Sequence, residues 1–360
     1  MYKLKVKEIN ALVRTIHSKS EAVEYFTQAA TKDTNAFDYE TSGLSWEKGY
    51  IVGTSFCCDR KEAIYIPMQH RTENAEPEAV EVMVDFMRET PLAAHNMNFE
   101  YGWTKHHMGF DLKVRTDSMV AIGVENSNNP AGLKDYVKKI YKHSQQTFKE
   151  VTQGTKDFTR VSVKDGFYYA CSDSLWTYRI IVDLEPKILS DKGMSSIYSL
   201  EKQLIPIVAG MHFRGIKIDT EELGRQKTII TDSVAQMEKD IYTMIQTECP
   251  SLAGQYDIMG NMALSVNINS PKDLLKIFGM MGIPLDSTSK EALSEVDHPL
   301  AKKILEYRQE VKLLSTYNTP YWDLMEAGNI IHQGIKLIGC STGRMMGASP
   351  NIMNIPKIRD

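Results

Sequence analysis

The chain has few cysteines, and those it has lack the spacings that make cysteine informative. Cys57, Cys58, Cys171, Cys249 and Cys340 include no C-x-x-C pair. This argues against a structural zinc site and a disulfide framework, and it fits a reducing compartment. No apolar run is long enough to cross a bilayer and no secretory leader pattern is evident, so the expectation is a cytoplasmic protein with no membrane partner. An excess of one charge is lacking too. A formal net charge of -4 neither advertises nor excludes nucleic acid, because a basic groove can sit on an acidic protein. Internal repeats and low-complexity tracts are absent. The remaining composition, 42% hydrophobic and 24% charged over 360 residues, is that of an ordinary globular chain with room for two domains or three small ones.

The pattern along the chain predicts an extended start, a helix near Lys19–Ala30, and three meandering strands: a short one in the stretch Ala36–Leu44 that ends in the carboxylates Asp38 and Glu40, then Tyr50–Cys57 and Glu62–Met68. Strands and helices then alternate. Glu76–Thr90 reads as a helix with an apolar stripe, Pro91–His95 as a strand, and Asn98–Met108, Ser118–Glu125, Leu133–Tyr141 and Gly166–Val182 as helices. This order suggests a mixed sheet with helices packed on it. Past Leu184 long helical patterns dominate: Ser195–Phe213, Thr220–Glu248, Pro271–Met281 and Pro299–Ala327. Ile330–Ile338 is strand-like. The change of character places a boundary near residue 190, giving domains 1–190 and 191–360.

Two acids stand out in the first strand. Asp38 and Glu40 are two apart, so in a strand they project from the same face. Side by side they repel, which calls for a cation or a shared proton. A lone D-x-E pair can equally be a strand end running into a polar turn, so partners elsewhere decide the matter. Glu100 falls on the first turn of a helix after Ala94-His95-Asn96-Met97-Asn98-Phe99, where the helix dipole alone would favour an acid. Tyr169 and Asp173 are four apart and share a helical face. Asp117 and Asp165 are rival acids, and each reads more simply as a cap of the helix that follows it.

Taken in order, D-x-E, N-x-x-F-E and Y-x-x-x-D resemble the 3′→5′ exonucleases of the DEDD class, in the subtype that carries a tyrosine. The resemblance covers roughly residues 30–185 and implies an α/β, ribonuclease H-like fold. It implies that Asp38, Glu40 and Asp173 ligate two Mg²⁺ or Mn²⁺ ions and that Glu100 completes the set, although the family more often has Asp at that position. Tyr169 is implied to position or activate the attacking water, Thr41 and Leu44 to lie against the 3′-terminal nucleotide, and Asn96 to stabilise the turn that presents Glu100. Two ions about 4 Å apart can lower the pKa of water and stabilise the leaving 3′ oxygen. Selectivity for a mismatched 3′ end would follow from easier unpairing.

The second half resembles family A DNA polymerases. The stretch from Ser199 to Asp219 is similar to their entry into the polymerase region. Asn269-Ser270-Pro271-Lys272-Asp273-Leu274 is similar to the thumb tip, and the segments at Ile304–Arg308 and Lys312–Tyr317 resemble the thumb helix. Ser341-Thr342-Gly343-Arg344 and Pro350-Asn351-Ile352-Met353-Asn354-Ile355-Pro356 resemble the T-G-R…P-N-L-Q-N-I-P signature, with Met353 in place of the glutamine. By this resemblance Arg308, Lys312, Arg344, Asn351 and Asn354 contact DNA. Arg308 and Lys312 are one turn apart, as a phosphate clamp needs, and a solvated helix face has the same spacing. The palm and fingers motifs are absent, so the expectation is a proofreading exonuclease plus a mainly α thumb that does not polymerise by itself. Its palm and fingers would come from a separate chain, as in a compact or phage-like split polymerase, unless the chain is a truncated piece. Two rivals remain: a binding module in which the Glu100 change has silenced the nuclease, and an RNase D-like RNA exonuclease.

Overall fold

The computed structural model describes residues 2–6, 9–252, 266–340 and 342–355. The expected roles of Ser341 and Pro356, and the chain end at Asp360, lie outside the described residues. Two compact units emerge, one formed by residues 1–216 with 332–360 and the other by 217–331.

The first unit is built on a seven-stranded mixed sheet. Its strands are β1 (Tyr2–Val6), β2 (Ile9–Thr15), β3 (Ala36–Thr41), β4 (Ile51–Cys57), β5 (Glu62–Pro67), β6 (Leu92–Ala94) and β7 (Val114–Asp117). Their order across the sheet is β1-β2-β5-β4-β3-β6-β7. The expected meander is present: β3 pairs antiparallel with β4, and β4 with β5. On the other side β3 runs parallel to β6 and β6 to β7, each return being made through a helix, as parallel pairing requires. β3 therefore lies inside the sheet, and its apolar residues Phe37 and Tyr39 are buried.

The helices of this unit are α1 (Lys19–Ala29), α2 (Pro77–Glu89), α3 (Met97–Met108), α4 (Ser118–Glu125), α5 (Leu133–Tyr141), α6 (Phe148–Val151), α7 (Val163–Ser190) and α8 (Lys192–Arg214). Ser18 and Glu21 form a reciprocal capping box at the start of α1, which satisfies two otherwise orphaned N–H groups. α7 starts three residues earlier than expected because Ser162 accepts from the Asp165 N–H. It packs against β2 to β6 and contributes Ala170, Cys171, Leu175, Trp176 and Ile180 to the core.

The packing does not divide at residue 190. α8 lies against α3, α4 and β7 and seats Tyr198, Ile205, Val208 and Ala209 in the same core. The Tyr198 hydroxyl donates to Glu185 and shares a hydrogen bond with Thr116. The segment after residue 331 also returns to this unit. Its strand Gly334–Lys336 pairs with Met346–Ala348, Ile335 and Leu337 enter the core, and the Asn98 side chain donates to the Ile335 carbonyl at 2.6 Å. Aliphatic burial, rather than the change in helix length, decides where this unit ends.

The second unit has its own apolar core, drawn from helices Thr220–Glu248, Pro271–Met280 and Pro299–Lys312, with Leu274, Ile277, Phe278, Leu300 and Ile304 fully buried or nearly so. The single helix expected over Pro299–Ala327 is interrupted. A π-helical turn, Leu313–Asn318, separates Pro299–Lys312 from Thr319–Leu324. Asn318, at the end of this turn, donates to the Leu223 carbonyl of helix Thr220–Glu248 at 2.9 Å.

Candidate active site

β3 carries Asp38 and Glu40 toward the end of the strand, opposite Ser55 and Gly53 of β4. The pairing register shifts immediately after Glu40, and the ladder then closes with Thr41 opposite Ile51 before the loop beyond. Gly53 is required at its position. A Cβ there would stand 2.0 Å from the Tyr65 hydroxyl, and Tyr65 is itself held by His70 at 2.8 Å. Tyr39, between the two acids, shares a 2.9 Å hydrogen bond with Thr104 of α3. Thr104 also donates to the Glu100 carbonyl. The strand that carries two of the acids is thereby tied to the helix that carries the third.

Glu100 reaches the site through the turn before α3. Asn96 takes a left-handed backbone conformation, φ 71°, and its side chain makes no cap hydrogen bond. The turn is held instead by Asp117, whose carboxylate accepts the N–H groups of Asn96 (3.0 Å) and Met97 (2.8 Å) and also that of Met119 (2.8 Å). Asn96 thus contributes its tolerance of positive φ, while the stabilising contacts come from Asp117. That residue also caps α4, as the sequence suggested. Asp165 bonds to Ser162 at the start of α7.

Asp173 and Tyr169 project from one face of α7. Asp173 is engaged on both oxygens, by Gln145 at 2.8 Å and by the Lys134 ammonium at 3.1 Å. Lys134 also sits 3.8 Å from the centroid of the Tyr169 ring. Sequence reading passed over both residues, since neither lies in a recognisable pattern. It passed over Phe148 as well, which is 40% exposed and 6.5 Å from Tyr169. Phe158 and Val161 wall the far side of the tyrosine.

The four acids act on one another. Burial raises the Asp38 carboxyl, and the negative charge of Asp173 raises it further. Glu40 is raised by burial, then by Asp38 and Asp173. Glu100 is raised by burial and by Asp38, against the N–H groups of Glu100 and Tyr39. Asp173 is raised by burial, with Lys134 and Gln145 opposing. Tyr169 is pushed far up by burial and by Asp173, Glu40 and Asp38, which keeps its hydroxyl protonated. Glu40 Oε1 and Glu100 Oε2 are buried without a hydrogen-bond partner, a costly condition that a cation would relieve. Hard carboxylate oxygens of this kind suit a divalent ion. Among the described residues, no three of these acids bring oxygens within 4.8 Å of one another, so the cluster is convergent but not closed around one ion.

The raised carboxyls have a measurable consequence. Between the ordinary carboxylate range and their raised values they bind more protons folded than unfolded, so their contribution to stability is lost as pH rises through that window. The melting temperature of chelator-treated protein is expected to fall from about pH 5 to about pH 8, and Mn²⁺ should restore more of it at the higher pH. A Glu40→Gln variant should flatten both trends. Equal Mn²⁺ shifts at both pH values would contradict the account.

The remaining expected contacts are more scattered. Thr41 donates to the Gly43 carbonyl, and Leu44, 87% exposed, stands at the loop tip beyond Glu40. Arg308 is not a free phosphate clamp: its guanidinium bonds the Thr288 carbonyl and hydroxyl, and only Lys312 of that pair is exposed. Arg344 is exposed next to Gly343, φ 70°. Asn351 caps the short turn Ile352–Asn354 through Met353 N–H, and Asn354 is exposed.

Known proteins resemble this chain over both of its parts. Residues 13–189 match the 3′-5′ exonuclease family model, and residues 220–360 match that of DNA polymerase family A. Over these two segments the chain is similar to family A DNA polymerases and to their exonuclease domain. It is 28% identical to DNA polymerase I of Rhizobium leguminosarum and 29% identical to that of Chloroflexus aurantiacus, in each case over 89% of this chain. Those alignments take in 34% and 35% of the relatives' lengths, so the chain spans about a third of the length of these relatives. A solved structure described as the POL domain of Pol1 from M. smegmatis, in complex with DNA primer-template and dNTP, has the same fold at a TM-score of 0.73 and 15% identity. That match covers 97% of this chain and 56% of the other. The exonuclease match ends at residue 189, near the expected boundary, whereas the compact unit runs on to 216.

Proposed function

We propose that residues 13–189 form a ribonuclease H-like 3′→5′ proofreading exonuclease that hydrolyses the terminal phosphodiester of DNA and releases a nucleoside monophosphate. The observation that carries this reading is the meeting of Asp38, Glu40, Glu100 and Asp173 at one end of β3, with Glu40 Oε1 and Glu100 Oε2 buried and unpartnered, inside a segment that matches the exonuclease family. Asp38, Glu40 and Asp173 would hold two Mg²⁺ or Mn²⁺ ions, and Glu100 would complete the set. Such ions supply activation of water and charge stabilisation at the leaving 3′ oxygen. Tyr169, kept protonated, offers its hydroxyl as a hydrogen-bond donor that orients the nucleophile and does not serve as a base. Leu44 and Thr41 lie where the terminal nucleotide is received, with Phe148 flanking Tyr169. The second unit grips DNA as a thumb, its phosphate contacts resting on Lys312 more than on Arg308, and in the first unit Arg344, Asn351 and Asn354 contact DNA.

The test is cleavage of 3′-labelled single-stranded DNA by chelator-treated protein with and without added Mg²⁺ or Mn²⁺. Stepwise release of labelled mononucleotide only with the ion supports the reading. Internal cuts, or cleavage that survives chelation, oppose it. DNA binding without cleavage would favour the silenced binding module, and a preference for RNA would favour an RNase D-like activity. Tyr169→Phe should slow the chemical step by about 10- to 100-fold, the scale of one hydrogen bond to a charged group. Single-turnover rates at saturating DNA measure this, and an unchanged rate would remove Tyr169 from the chemistry.

A further inference from the structure

Lys134 is a cation among acids, in a position that helix stability does not explain. It lies in the first turn of α5, after the Gly132 cap, where the helix dipole disfavours positive charge. A lysine placed there for solubility would extend into water, yet only 28% of this side chain is exposed. Its ammonium is 3.1 Å from Asp173 Oδ2 and 3.8 Å from the Tyr169 ring centroid, and its charge offsets the repulsion felt by Asp38 and Glu40. Gln145 holds the other Asp173 oxygen. Of the four acids, Asp173 is thus the one whose two oxygens are both occupied, while Glu40 and Glu100 each keep a bare one.

We propose that Lys134 is a positioning residue with two linked roles: it holds Asp173 and the Tyr169 ring in register before metal binds, and it competes with the divalent ion for Asp173 Oδ2. The proposal rests on the exonuclease reading above. Electrostatics fixes its sign. A unit positive charge beside a ligand oxygen weakens divalent binding, and its ion–ring contact limits where the tyrosine can swing. The ammonium therefore sets a threshold, so that the acids fill only when ion is abundant enough to displace it. Until then it prevents the cluster from holding unopposed negative charge.

The test uses the full chain, treated with chelator, and Mn²⁺ alone as the titrant in calorimetry. Lys134→Met, checked for folding by circular dichroism, should bind Mn²⁺ about fivefold to tenfold more tightly than the parent. Its kcat on single-stranded DNA should fall about tenfold with KM unchanged, because Tyr169 loses its support. Mn²⁺ affinity that is unchanged or weaker in this variant overturns the proposal. Lys134→Arg covers the case in which the methionine variant does not fold. Its rigid fork grips Asp173 more firmly, so Mn²⁺ binding should weaken several-fold, and unchanged binding again overturns the idea. A parent protein that binds no Mn²⁺ would refute the exonuclease reading itself, whereas a parent that binds and variants that match it would refute only the role of Lys134.

Discussion

Asp38→Ala is expected to lower mononucleotide release from single-stranded DNA by about 10³-fold or more, the scale on which loss of a preorganised electrostatic group is felt. Asp38 lies on an interior strand of the sheet, and its charge raises the carboxyls of both Glu40 and Glu100. Its removal takes a ligand from the proposed metal set and relieves repulsion in the folded protein. Activity and stability should therefore separate. Without divalent ion the variant should melt no lower than the parent, while its cleavage rate collapses even at high Mn²⁺. Single-turnover product release and thermal melting of the same preparation check both halves. A variant that retains a tenth of the parental rate would show that Asp38 is not a ligand.

Asp117→Ala should have the largest effect on folding. One buried carboxylate accepts the N–H groups of Asn96, Met97 and Met119, so alanine strands three donors at once where water has little access. The expected loss is about 3–5 kcal/mol, the range for breaking a buried charged network by removing one partner. Glu100 should suffer with it, because the left-handed turn at Asn96 loses the acceptor that holds it. Activity measured at a temperature where the variant is still folded should drop as well. Asp117→Asn should fall in between, since an amide can accept but also turns a donor toward one of the three N–H groups. Asp165→Ala is the matched control. It alters only an exposed helix start and should cost about 1 kcal/mol or less. Denaturant titration read at the first unit distinguishes the two, and equal losses would remove the special role of Asp117.

The acids were legible because their spacing is set by local geometry. Two residues apart on a strand and four apart on a helix are rules that hold whatever the tertiary surroundings. The same locality explains what went unread. Lys134 and Gln145 reach Asp173 from segments 39 and 28 residues away, and nothing in their neighbourhoods advertises an acidic partner. Arg308 shows the opposite failure. Its one-turn spacing from Lys312 suggested a phosphate clamp, but a loop 20 residues earlier places the Thr288 carbonyl against it. β7 escaped notice because four residues with a basic side chain among them, Val114–Asp117, give little alternation to detect. The helix at Pro299–Ala327 kept its apolar rhythm through a π-helical turn, which adds a residue per turn without changing composition. The boundary near 190 followed a real change of character in the sequence. Character, however, does not say which core a helix completes, and α8 seats Tyr198, Ile205, Val208 and Ala209 in the core of the first unit.

That last feature bears on how such a protein can change over generations. The return of the chain after the second unit matters too, because the core of the first unit includes Ile335 and Leu337, residues encoded after the entire second unit. Trimming away the later segment would uncover part of the first unit's core, and a foreign unit in its place would have to match that strand. Inheritance is therefore expected to move the two parts as one block, with drift freest in the enclosed stretch between them.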